Sequence, residues 1–225
     1  PELLCLTVPA LRADAGVAID GDGDRLVMVD EQGAIVDGDQ LLYILAMDRQ
    51  REGRLQGPVV GTVMSNLGLE HALGREQIEF RRASVGDRYV LEALKQEGGI
   101  IGGETSGHML VLDQTTTGDG LVAALQVLAV MKRTGKSLAE LAAGMPKYPQ
   151  TMLNVRTGKR VDPDSLPAVQ EAVSAAEGEL ADKGRVVLRA SGTEPVIRVM
   201  VEGEDKDQVV ALAKRLAAVV TEAAT

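Results

Sequence analysis

Residues 20–25 read Asp-Gly-Asp-Gly-Asp-Arg, set between two short apolar runs at 16–19 and 26–29. That arrangement leaves the segment few ways to fold. The flanks read as buried strands, so the acidic stretch must be the turn between them. Three carboxylates at alternate positions can converge on one cation if the backbone turns tightly, and Gly21 and Gly23 supply that freedom. All-oxygen ligation suits a hard divalent cation, and Mg²⁺ commonly keeps coordination positions for water or substrate phosphate. Asp20, Asp22 and Asp24 are therefore expected metal ligands, with a solvated acidic turn as the plain alternative. A calcium loop is excluded. Arg25 occupies the sixth position, where that loop needs glycine, and the flanks are strands rather than helices.

Composition removes several classes of function. The chain has 225 residues and a net charge of −9, which disfavours bulk attraction to a polyanion such as nucleic acid. With one Phe, three Tyr and no Trp, it offers no stacking platform for single strands. A small anion held by a few local arginines stays compatible with that charge. Cys5 is the single cysteine, so no internal disulfide forms, and a reducing, cytoplasmic setting is expected. No apolar run reaches the length of a membrane span. The chain opens on Pro1 without Met, and is expected to be a piece of something longer.

Periodicity predicts strands and helices in alternation from residue 38 to 134. They begin with an amphipathic helix over 38–51, whose apolar side carries Leu41, Leu42, Ile44, Leu45 and Met47. Alternation of this kind predicts an α/β layer with parallel strand pairs. Two prolines in 144–149 mark a boundary, followed by a strand, a helix, two strands and a last helix. Asp205 and Gln208 have capping-box spacing for that last helix. The expected class is α/β: a mixed-sheet domain over 38–145, a partial α/β segment over 1–37 before it, and a small α+β domain over 146–225.

Two further loops carry chemistry. Gly102-Gly-Glu-Thr-Ser-Gly-His108 follows a strand end and presents Glu104, Ser106 and His108 at alternate positions. A carboxylate, a hydroxyl and an imidazole suit a polyhydroxylated ligand, since each offers a different donor or acceptor. A polar hairpin with a satisfied surface histidine is an equal alternative. Arg189-Ala-Ser-Gly-Thr-Glu-Pro195 lies between two strands, with Arg198 just beyond. Backbone N–H groups, Ser191 and Thr193 can converge there on one anion, and Arg189 and Arg198 add charge-assisted bonds. An ordinary hairpin with surface arginines is the alternative. In 85–89, Arg88 is placed to reach a phosphate, while Asp87 more readily caps the following helix. His71 reads as a surface or satisfied residue, and Cys5 lacks a neighbouring base.

In this order, the acidic turn, the hairpin at 102–108 and the loop at 189–195 resemble the α-D-phosphohexomutase superfamily. Segments 20–39, 61–70, 85–91, 116–126 and 189–203 carry a finer likeness to its amino-sugar branch, which interconverts glucosamine 6-phosphate and glucosamine 1-phosphate. The likeness runs nearly end to end. It implies an isomerase of four domains around one cleft, working through a phosphoserine and a bisphosphorylated sugar and supplying UDP-N-acetylglucosamine and cell-wall precursor synthesis. This chain would hold the end of domain 2 and all of domains 3 and 4. No serine here has the context of the phosphorylated one, so the chain alone is expected to be inactive. The resemblance implies Mg²⁺ on Asp20, Asp22 and Asp24, with Arg25 on the reacting phosphate. Glu104 and Ser106 would meet sugar hydroxyls, with Arg88 near the substrate and His108 beside them as a proton-transfer participant. Arg189, Ser191, Gly192, Thr193 and Arg198 would hold the phosphate that is not transferring. Implied partners are the phosphorylated hexosamine and the N-terminal domains of the same enzyme, with a homodimer left open. Two positions depart from the pattern: Thr105, where glutamine is usual in the amino-sugar branch, and Ala190, where proline is common. The alternatives are phosphoglucomutase or phosphomannomutase chemistry, or a non-catalytic phosphosugar-binding module.

Overall fold

The computed structural model describes residues 1–159, 161–191 and 194–224. Gly192 and Thr193, two of the expected phosphate contacts, lie outside the described residues. The chain forms two compact units, Pro1–Pro146 and Lys147–Thr225.

In the first unit, α1 (Glu2–Leu11) precedes an antiparallel meander of β1 (Ala15–Ile19), β2 (Leu26–Asp30) and β3 (Ile35–Val36). Ile19 pairs with Leu26, so the acidic hexapeptide is the hairpin turn that the flanking runs require. The sequence reading treated residues 1–14 as an irregular lead. They are largely helical because Pro9 falls in the last turn of α1, and Arg12 then closes the helix in a left-handed conformation.

The rest of the unit alternates as α2 (Gly38–Arg51), β4 (Val59–Thr62), α3 (Leu67–Arg75), β5 (Phe80–Ala83), α4 (Asp87–Glu97), β6 (Ile101–Gly103) and β7 (Met109–Val111). It ends with α5 (Gly120–Thr134) and α6 (Leu138–Ala142). The sheet order is β5-β4-β6-β7, with β4 parallel to β5 and β6, and β7 antiparallel to β6. Period-two alternation assigns its two faces. Val59, Met109 and Val111 join the core under α2, α3 and α5, while Val60 and Leu110 pack with Val90 and Leu94 of α4.

Two expectations change here. Helix α2 is buried around its whole circumference, Tyr43, Asp48 and Arg49 included, so it is a central helix rather than an amphipathic one. Arg49 is fully buried because Asp113 lies 3.0 Å from its Nη2. Residues 1–37 are not a compact unit of their own, since Leu26, Met28 and Val36 pack into the same core as α2 and α5.

The second unit contains β8 (Gln150–Arg156), α7 (Pro167–Leu180), β9 (Gly184–Ala190), β10 (Val196–Gly203) and α8 (Lys206–Ala223). Its sheet is antiparallel in the order β8-β10-β9. Val155, Val186, Ile197, Val199 and Val201 face α7 and α8 through Val169, Ala176, Val209, Leu212 and Leu216. Asp205 caps α8 by accepting from the Asp207 and Gln208 N–H groups. The reciprocal half of the expected capping box is absent among the described residues: Gln208 Nε2 instead donates to the Glu179 carbonyl.

Candidate functional site

The acidic turn and the hairpin at 102–108 are one structure. Arg25 and His108 form a β-bridge, the Leu26 N–H donates to the Gly107 carbonyl at 3.0 Å, and the Gly120 N–H donates to Gly23 at 2.9 Å. Gly107 makes the junction possible. It sits at φ +94°, and a Cβ there would lie 1.9 Å from the Leu26 carbonyl oxygen. Two segments some eighty positions apart in sequence are thus joined through backbone.

Within the turn, Asp20 is turned toward its own backbone and accepts from the Gly23 and Arg25 N–H groups at 3.1 and 3.3 Å. Asp22 is exposed. Asp24 Oδ2 lies 3.2 Å from His108 Nδ1. Among the described residues no three acid, imidazole or thiol groups are gathered closely enough to hold a metal ion. The expected convergence of the three aspartates is therefore not drawn in this conformation, because carboxylates of like charge separate and take backbone and histidine partners instead. The donor chemistry still fits Mg²⁺: three carboxylates on one short turn, with only Asp24 half-buried. The Arg25 side chain is exposed, and its Nε is 3.9 Å from Asp20.

His108 is buried, and its ring lies against the backbone of Gly118, where a Cβ would come within 2.1 Å of Nε2. The imidazole thus braces the acidic turn at Asp24, with its second nitrogen covered by Gly118. Glu104 is held by the turn at 85–89: its Oε1 accepts the Gly86 N–H at 3.0 Å. Gly86, not Asp87, is the N-cap of α4, and it adopts φ +130°. The expected cap fails because Asp87 is already the first helical residue, and the sugar-loop glutamate takes the free N–H instead. Arg88 is exposed and stacks its guanidinium 5.8 Å above the Tyr89 ring. Ser106 is exposed at the hairpin tip.

Sequence reasoning missed Asp39. It is fully buried in the first turn of α2, where its Oδ2 accepts the Thr105 hydroxyl at 2.8 Å and the Asn66 N–H at 2.9 Å. Burial raises its pKa to about 6. The available signal was a carboxylate opening an otherwise apolar helix.

In the second unit, Arg189 and Arg198 are direct cross-strand partners, and Arg198 faces Asn154 on its other side. Register alternation puts all three on the sheet face away from α7 and α8. Like charges directly opposite are destabilising in a sheet. Farther along the same face Arg185 is neutralised by the buried Glu202, but among the described residues neither Arg189 nor Arg198 has an ion-pair partner. Arg189 Nε is buried without a hydrogen bond. Ser191 is buried at the strand end; its Oγ accepts the Glu194 N–H at 3.4 Å, so its proton remains to be donated. This end of the sheet holds positive charge that the protein does not compensate.

Sequence comparison agrees with this layout. Residues 37–148 match the phosphoglucomutase/phosphomannomutase alpha/beta/alpha domain III, and residues 152–219 match the C-terminal domain of the same group. The chain belongs to the phosphoglucomutase/phosphomannomutase family. It is 58% identical over 223 residues to a phosphoglucosamine mutase of Methylococcus capsulatus, covering 99% of this chain and 50% of that protein. It is 59% identical over 220 residues to one from Thioalkalivibrio sulfidiphilus, covering 96% and 49%. The chain spans about half the length of the curated relatives it matches. Among solved structures, Aspergillus fumigatus N-acetylphosphoglucosamine mutase in complex with GlcNAc-6P and magnesium shares the fold. The TM-score is 0.78 at 20% identity, covering 99% of this chain and 53% of that one. A phosphoglucomutase/phosphomannomutase family protein from Burkholderia thailandensis matches with a TM-score of 0.77 at 22% identity, covering 97% and 49%.

Proposed function

We propose that this chain is the C-terminal portion of a phosphoglucosamine mutase and supplies that enzyme's grip on the sugar phosphate. The observation that carries the reading is the opposed pair Arg189 and Arg198, left without carboxylate partners in a chain of net charge −9. Uncompensated guanidinium groups side by side are explained by an anion that bonds to both, and phosphate oxygens match their geometry. Ser191 adds a hydroxyl donor. In the first unit Glu104 accepts from sugar hydroxyls through its second oxygen, the first being held by Gly86. Ser106, at the exposed tip, donates or accepts as the ligand demands.

Asp20, Asp22 and Asp24 would hold Mg²⁺, which supplies neutralisation of charge on a transferring phosphoryl group. His108 orients Asp24 from behind. We assign it to holding that carboxylate rather than to proton transfer, because its ring is buried between Asp24 and Gly118. The exposed Arg25 is free to pair with the reacting phosphate. The amino-sugar preference rests on the identity of 58–59% to phosphoglucosamine mutases. The phosphoserine that the cycle requires has no counterpart among the serines here, so binding and positioning are this chain's share.

Calorimetric titration of the chain with glucosamine, glucose and mannose 6-phosphates in Mg²⁺ buffer tests the reading. Tightest binding of the amino sugar, abolished by Arg198→Ala, is expected. A hundredfold preference for glucose or mannose 6-phosphate would move the assignment to the phosphoglucomutase/phosphomannomutase branch, and no binding of any of them would end it.

A further inference from the structure

Asp39 has no role in the reading above, and folding alone does not explain it. A buried carboxylate without a counterion is destabilising, and a neutral side chain could accept the same hydrogen bonds. We propose that Asp39 is a positioning residue that fixes the sugar-binding hairpin by holding Thr105 between Glu104 and Ser106. The proposal rests on the functional reading given above.

Thr105 is gripped twice by consecutive residues of α2. The Gly38 N–H donates to its carbonyl at 3.3 Å, and its hydroxyl donates to Asp39 Oδ2 at 2.8 Å. The same oxygen accepts the Asn66 N–H at 2.9 Å, which ties the hairpin to the turn after β4. Bonds to an ionised acceptor are roughly twice as strong as neutral ones, so the charge matters to the grip. Thr105 is also the position that departs from the family pattern, and the structure gives it this contact.

The groups around Asp39 leave its charge unpaired. Asp37 repels it, Glu104 is engaged with Gly86, and the Arg82 guanidinium serves the Thr62 and Ser65 carbonyls and Glu70. Among the described residues Asp39 forms no ion pair, and its Oδ1 has no hydrogen-bond partner. Burial is the largest cause of its raised pKa, opposed by the Asn66 N–H and reinforced by Asp37. Protonation near pH 6 therefore weakens the bonds that hold Thr105, and deprotonation strengthens them.

Amide hydrogen exchange of the full chain tests this without needing a ligand. The Glu104 and Gly107 N–H groups close the hairpin by donating to His108 and Glu104 carbonyls. Thr105→Val is expected to speed their exchange about tenfold, corrected for intrinsic rates, while Thr105→Ser stays within about twofold of wild type. In wild type the protection should fall as pH drops through 6; in Asp39→Asn it should be low and insensitive to pH. Amides of β9 and β10 serve as the internal control. Equal exchange in Thr105→Val and wild type, or a pH response that survives Asp39→Asn, overturns the proposal. If Asp39→Asn does not fold, the Thr105 pair decides alone. The affinity for glucosamine 6-phosphate should fall with hairpin protection across the series. If wild type binds no sugar phosphate, the functional reading fails while the exchange data still decide this one.

Discussion

The hairpin at 102–108 and the strand ends at 189–198 are both read as ligand contacts, but they are built on opposite principles. In the hairpin nearly every polar group already has a protein partner: Glu104 with Gly86, Thr105 with Asp39 and Gly38, His108 with Asp24. In the second unit two guanidinium groups face one another without a counterion among the described residues. Hydroxyl recognition depends on where donors and acceptors point, so it gains from a rigid frame. Phosphate recognition depends on charge, which acts over a longer range and tolerates two sugar orientations. Preorganisation and uncompensated charge are two solutions to two different halves of one ligand.

The largest expected effect breaks the rigid half. Gly107→Ala forces a side chain to φ +94° and into the Leu26 carbonyl. It should destabilise the first unit by about 3–5 kcal/mol, read as a lower urea midpoint for its methyl resonances, with the second unit unchanged. Removing charge from the other half should do the reverse. Arg198→Ala is expected to weaken glucosamine 6-phosphate binding by about 2–3 kcal/mol, measured calorimetrically, while leaving the second unit equally or slightly more stable. A loss of stability there would mean the arginines are structural, and the contrast would collapse.

A pH experiment sharpens the comparison from inside the hairpin. Asp39 has its pKa raised from 3.8 to about 6. Below about pH 4 it is protonated whether the chain is folded or not. Between there and pH 6 the unfolded chain has released the proton and the folded one retains it, so stability falls as pH rises. Above that window the loss is complete, about 3 kcal/mol. Asp39→Asn should lack this slope in urea unfolding followed from pH 4 to 7. The smallest expected effect concerns a helix end remote from the arginines. Asp205→Ala removes the α8 cap and should cost about 1 kcal/mol in the second unit without changing phosphate affinity.

Much of the fold was legible because hydrophobic period and turn residues are local signals. Strands β1, β2, β8, β9 and β10 and helices α2, α4, α5 and α8 lie close to where periodicity puts them. What escaped depended on tertiary context. Helix α1 was hidden by Pro9, and α2 read as amphipathic because Tyr43, Asp48 and Arg49 become buried only once Asp113 and the surrounding helices are in place. The ligand-facing loops could be named from residue type and glycine content. Their internal wiring could not. Nothing in Glu104 announces that Gly86, eighteen positions earlier, takes one of its oxygens, and nothing in Thr105 announces Asp39. The aspartate turn was legible as chemistry but not as geometry, since its carboxylates adopt backbone and histidine partners. Mg²⁺ should therefore raise the unfolding midpoint of the first unit, and Asp22→Asn should reduce that gain.

The most direct test of the two-halves account is an NMR titration of the ¹⁵N-labelled chain with glucosamine 6-phosphate, compared with inorganic phosphate. The sugar phosphate should shift the amides of Glu104 and Ser106 together with those of Arg189, Ser191 and Arg198, all saturating with one dissociation constant, whereas inorganic phosphate should move the second set alone. Identical shift patterns for the two ligands, with residues 104–108 untouched, would contradict it.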